Sequence, residues 1–162
     1  MRLLQFCTWL SGTDFSVWLR EAPYPYPVLL IIHLMTLALF GALAILLNLR
    51  VLGLVLPRAP ITYVLQQSRP WKWTALALLT ISGLLIAASD PLEYYGNRMF
   101  WISLGLLALA AVNAWYFATR TCRTIALWDT AERAPSAARW WAWSSLGLWI
   151  VLIFVGRAIA FF

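Results

Sequence analysis

Residues 24–53 read YPYPVLLIIHLMTLALFGALAILLNLRVLG. Between Pro27 and Leu49 this stretch holds no ionised side chain. At about 1.5 Å of rise per residue it is long enough to cross the hydrocarbon of a bilayer as a helix. It also carries the only histidine of the chain, His33, inside the run. Working outward, three further apolar runs follow, at about 71–89, 99–119 and 140–162.

Composition agrees. Of 162 residues 63% are apolar and only 11% charged, too little charge to cover a soluble domain of this size. Backbone groups in hydrocarbon find no water, so each run must satisfy its own hydrogen bonds as a helix. The short alternating segments of a transmembrane barrel are missing. The expected fold is all-α: a single domain over 1–162, four transmembrane helices in an antiparallel bundle, with an N-terminal interfacial helix. The net charge of +6 does not point to nucleic acid, because the basic residues sit mainly in connections and form no stripe on a soluble element.

Residues 1–26 are too broken to cross. Asp14, Gly12 and Ser11 interrupt Leu3–Leu10, and Asp14 or Ser16 is expected to cap a short helix over 15–21. This segment reads as an arm lying along the interface. It ends in an extended stretch at Pro23, Pro25 and Pro27, with Tyr24 and Tyr26 at headgroup depth. In the first connection, Pro57 and Pro60 stop the helix, and Ile61–Ser68 is expected as a short separate surface helix. Trp71, Lys72 and Trp73 then anchor the second span, and Trp140, Trp141 and Trp143 the fourth. Within the second span, Gly83 and Ala87 permit a close helix contact.

Basic residues fix an orientation. Arg50, Arg58, Arg69 and Lys72 lie in the first connection, and Arg120, Arg123, Arg133 and Arg139 in the third. Only Arg2, Arg20, Arg98 and Arg157 lie elsewhere. The surplus puts connections one and three in the cytoplasm and both termini in the periplasm of a bacterial inner membrane. Cys7 and Cys122 then fall on opposite sides, where they cannot pair.

The layout resembles a family of small bacterial inner-membrane proteins with four helices and no settled activity. The resemblance rests on Tyr26-Pro27, His33, Leu49-Arg50 and Gly53, then Pro70-Trp71, Gly83, Tyr95, Asn97, Phe100, Asn113 and Gly156-Arg157. It implies fold and location, not an activity. The family often has an acidic residue where this chain has Asn48, and often a basic one near the start of the third span, where it has Ser103.

His33 is the residue that offers chemistry, since an imidazole in hydrocarbon is costly without a partner. On a helix it shares a side with Leu37, Ala44 and Asn48, with Gly41 at the margin, and that side should face other helices. One reading makes His33 an interhelical hydrogen-bond donor in a non-catalytic scaffold or subunit. The sharper reading makes it an axial ligand to the iron of haem b, in a protein with an electron-transfer role. Arg98 and Arg157, with Arg20, would pair with propionates. Tyr95, Tyr94, Phe100 and Trp101 would touch the macrocycle edge. Met99 would be the sixth ligand in one copy; Met35, water or a second copy are the alternatives. A homo-oligomer and a redox partner protein follow from that reading. Copper would want more soft ligands than His33, Met35 and Met99. A proton or solute path would use His33, Thr36, Asn48 and Asn113, but lacks a mid-membrane acid. Asp90 and Glu93 are loop charges, and no nucleophile or phosphate-loop motif exists for hydrolysis.

Overall fold

The computed structural model describes residues 2–131, 134–159 and 161, without the side chains of Thr121 and Cys122. Glu132 and Arg133 of the third connection lie outside the described residues, as does the Cys122 thiol; Cys7 is a free, buried cysteine. All regular elements described are helical: α1 (Arg2–Ser11), α2 (Asp14–Glu21), α3 (Pro25–Val51), α4 (Ile61–Ser89), α5 (Pro91–Gly96), α6 (Arg98–Tyr116) and α7 (Ser136–Ala158). A π-helical turn (Phe117–Thr121) and a 3-10 stretch (Cys122–Leu127) follow α6. Four helices, α3, α4, α6 with its extension to Arg120, and α7, are long and apolar enough to cross a membrane. The chain is a multi-pass membrane protein.

The four spans pack in the order α4, α3, α7, α6: α3 touches both α4 and α7, and α7 touches α6. Sequence explains the closest pair. On α4, Ser68, Ala75, Ser82 and Ser89 recur every seven residues and are all buried, with Leu79 and Ile86 beside them. A seven-residue repeat of small side chains keeps one seam facing its neighbour and lets two backbones approach. At the α3–α7 contact, Gly41 lies under the ring of Trp149, about a van der Waals distance from where a Cβ would sit. Two consecutive serines on α7 serve its two neighbours, α3 and α6. Ser145 accepts from Asn48 Nδ2 of α3 at 2.8 Å, and Ser144 donates to Asn113 Oδ1 of α6 at 3.1 Å. Both asparagines are thus interhelical partners, as hydrogen-bonding side chains in hydrocarbon should be. Along α6, Asn113 is the only residue in the buried class.

Three local expectations change. Ile61–Ser68 is not a separate helix; it is the start of α4, which runs through Pro70. Proline leaves the Gln66 carbonyl without its helical donor, but both residues are exposed, where water can reach that carbonyl. The proline arm is not extended to Pro27: α3 begins at Pro25, because the first turn of a helix needs no N–H from Pro25 or Pro27. The cap of α2 is Thr13, whose Oγ1 accepts from Ser16 N–H, and not Asp14 or Ser16. Ser16 Oγ instead donates to the carbonyl oxygens of Ala88 and Ser89, which pins the N-terminal segment to the end of α4.

The opposite end holds the main apolar cluster, in which Leu47, Val51, Ile61, Val64, Trp128 and Ala138 meet. Arg50 is buried there, and Asp129 caps α4 from the third connection. Pro60 supplies no side-chain cap. The Asp129 carboxylate accepts instead from Thr62 N–H at 2.8 Å and from Thr62 Oγ1 at 2.6 Å. Partial burial works to raise the Asp129 pKa. The hydrogen bonds from Thr62 and from Ile61 N–H, with the field of Arg50, outweigh it and hold the group below its ordinary 3.8. A lowered folded pKa means the contribution is complete above pH 3.8 and fades as pH falls through the lower folded value. Asp129→Ala is expected to cost about 1 kcal/mol at neutral pH, the worth of a partly solvated cap. It should also flatten the acid limb, measured by detergent unfolding at neutral pH and near pH 3.

Candidate functional site

α3 and α4 together position His33. Helical spacing turns His33 toward α4, about two turns inward from Tyr26 on the same side. Its Nδ1 lies 2.9 Å from Ser82 Oγ. Ser82 is one of the small residues of the α4 repeat, and the next residue, Gly83, makes room for the ring. A Cβ on Gly83 would stand 3.2 Å from His33 Cε1.

Proton counting assigns the ring. Ser82 has one hydroxyl proton, and its Oγ lies 2.6 Å from the Leu78 carbonyl and 3.2 Å from that of Leu79. With that proton given to the backbone, Ser82 Oγ can only accept from the imidazole. Nδ1 therefore carries a hydrogen, and in the neutral ring Nε2 carries the lone pair. No buried side-chain nitrogen or oxygen among the described residues lacks a partner. Ser82 engages the Nδ1 side of the ring, and His33 is only half-buried. The arrangement is a neutral imidazole, oriented by a hydrogen bond on one nitrogen, with the other available as a ligand or acceptor.

Above His33, toward the membrane edge, Tyr26 Oη meets Tyr94 Oη at 3.3 Å and ties α3 to α5. Burial first, and then the Tyr26 hydrogen bond, raises the Tyr94 pKa above its ordinary value, so the phenol stays protonated. Tyr94 packs on Phe100, Phe100 on Trp101, and Trp101 on Tyr95, whose carbonyl accepts from the Trp101 indole. Asn97 begins α6 by accepting from Met99 and Phe100 N–H, and its Nδ2 donates to the Ile159 carbonyl at the end of α7.

The other expected site residues scatter. Met99 is half-buried at the start of α6, and Arg98 is exposed beside it. Arg157 lies over the Phe161 ring at 4.7 Å. Arg20 donates to the Ser89 carbonyl at 3.4 Å. Met35 is 67% exposed. Tyr95 joins the aromatic cluster. Among the described contacts, none of these six meets His33; Ser82, Gly83 and the Leu79 backbone do. Gly83 was expected at a close contact, whereas Ser82 was missed, although the Ser68, Ala75, Ser82, Ser89 period was there to be read.

A family model described as a family of unknown function (DUF6644) matches residues 28–162. The chain belongs to this family. No curated protein and no solved structure matches it. The DUF6644 match contains His33, Ser82, Gly83 and all of the aromatic cluster except Tyr26; α1 and α2, which brace α4, lie ahead of it.

Proposed function

We propose that this DUF6644 protein is a small b-type membrane cytochrome, holding haem iron through His33 Nε2 with an electron-transfer role. The observation that supports this is the proton assignment: Ser82 fixes Nδ1 as the donor and leaves Nε2 its lone pair, the form in which histidine ligates metals. An imidazole within a membrane span is a ligand candidate on that free nitrogen. Bound haem would supply a one-electron iron couple. The fit extends to one protein ligand per copy. Arg98, Arg157, Tyr95 and Met99 do not gather around His33, so propionate partners and a sixth ligand would come from a second copy, a redox partner protein or water. By the charge surplus the protein lies in a bacterial inner membrane with both termini periplasmic, and His33 lies in the periplasmic half.

The second reading is a non-catalytic subunit that docks on a larger membrane complex. It is favoured by α6, which presents nearly its whole circumference outward. A transporter-like role has less support, because Asn48 and Asn113 already engage Ser145 and Ser144.

Protein purified in detergent with haem supplied should be red, with a Soret band that shifts on dithionite reduction. His33→Ala should abolish the band. Ser82→Ala should weaken haem retention about tenfold or more, the usual effect of losing an orienting partner. A colourless wild-type preparation would overturn the cytochrome reading and favour the subunit.

A further inference from the structure

We propose that the groove between the end of α6 and the start of α7 seats the phosphate of an anionic phospholipid, with Arg120 as its charge partner. The groove encloses a cavity of about 210 Å³ lined by Tyr116, Arg120, Thr124, Trp128, Pro135 and Trp141, among others. That lies below the roughly 300–1,000 Å³ of drug-sized sites and suits a headgroup. Its position follows from the fold. α6 and α7 are spanning helices, so their junction lies where the chain leaves the hydrocarbon, at the level of the Trp140 and Trp143 belt.

The walls are built for a ligand with an apolar and an anionic part. Tyr116 stacks on Trp141 with ring centroids 4.4 Å apart, a rigid apolar flank. Opposite it, Trp128 donates its indole N–H to Thr124 Oγ1 at 3.2 Å. Arg120 rides on the π-helical turn Phe117–Thr121, a widened turn of the kind frequent at functional sites. Its guanidinium is exposed, and the nearest described carboxylate in sequence, Asp129, is already held by Thr62. The lipid-facing surface of α6 just below carries Val112 and Trp115, both exposed, along which acyl chains can lie.

Charge selects the headgroup. This end of the molecule carries Arg58, Arg69, Lys72, Arg123 and Arg139 besides Arg120. Of the six acids, Asp14, Glu21, Asp90 and Glu93 lie at the other end, and only Asp129 and Glu132 belong to this connection. A basic rim at the interface favours anionic over zwitterionic lipid.

The test is native mass spectrometry of the full chain in detergent, titrated with phosphatidylglycerol or phosphatidylcholine. Phosphatidylglycerol should be retained severalfold better. Arg120→Gln should weaken it about fivefold, the worth of one basic residue at a lipid surface, and Arg120→Lys should restore most of it. Arg2→Gln, an exposed cation at the other end of the molecule, should change little. Equal retention of the two lipids, or no effect of Arg120→Gln, overturns the proposal. Displacement of bound lipid by millimolar inorganic phosphate would assign the site to a free anion and overturn the lipid assignment. None of these outcomes depends on haem.

Discussion

Arg50→Met is expected to destabilise the protein by about 2–3 kcal/mol, one of the two largest single-residue effects anticipated here. Arg50 is only 1% exposed. Its Nε donates to the Ala59 carbonyl at 2.6 Å, and an Nη donates to the Asp129 carbonyl at 3.4 Å. One guanidinium thus joins the end of α3, the loop before α4 and the third connection. Charged hydrogen bonds are worth roughly 1.5–3 kcal/mol each, the longer one at the low end. Methionine would strand the Ala59 carbonyl beside the apolar cluster and leave the Asp129 carbonyl only the Ile61 N–H at 3.2 Å. Removing a buried charge also relieves its desolvation, which keeps the net loss below the sum of the two bonds. Lysine preserves charge but not the planar fork, so Arg50→Lys should recover about half. Unfolding in mixed micelles with increasing SDS, followed by circular dichroism, measures this. A loss under about 0.5 kcal/mol for methionine would mean that water satisfies the carbonyls and that the clasp is not what holds the two connections together.

Arg50 also shows where sequence reading stops. Its position after an apolar run marks the end of a span, and the same run, with its lack of charge, makes the membrane class and the number of spans legible. Lengths and starts were less so. α4 begins at Ile61 and runs through Pro70, its tenth residue, because the carbonyl that proline leaves unpaired is exposed; the apolar run from Trp71 gives no sign of that earlier start. The role of Arg50 was not legible at all, because its acceptor Asp129 is 79 residues away and meets it only once α3, α4 and the third connection pack. As a topogenic charge Arg50 counts with its neighbours; in the fold it is interior. The candidate site divides the same way. That His33 faces another helix follows from helical spacing. Which helix it faces is set by the small-residue seam of α4, whereas the residues grouped with His33 by depth alone, Arg98, Met99 and Arg157, sit on α6 and α7 and share no described contact with it.

That seam makes Gly83 the more informative position. Gly83→Leu is expected to cost about 2–3 kcal/mol, at the upper end of overpacking penalties, because the tightest helix pair would have to part. Gly83→Ala should be milder. Its Cβ would stand 3.2 Å from His33 Cε1, and the ring can yield by a few tenths of an ångström at the cost of lengthening the Ser82 bond. The double variant Gly83→Leu with His33→Ala separates steric from chemical roles, since the leucine then occupies the space the imidazole left. A coupling of about 1 kcal/mol or more, with the double variant more stable than the two single losses add up to, is the expected result. Strict additivity would show that the ring does not pack on Gly83. Haem retention completes the argument. If Nε2 is the ligand, Gly83→Ala should lower retention while leaving unfolding nearly unchanged, because it disturbs the orientation of the ring more than the packing of the helices. A variant that retains haem fully but loses stability would instead mark His33 as a packing residue.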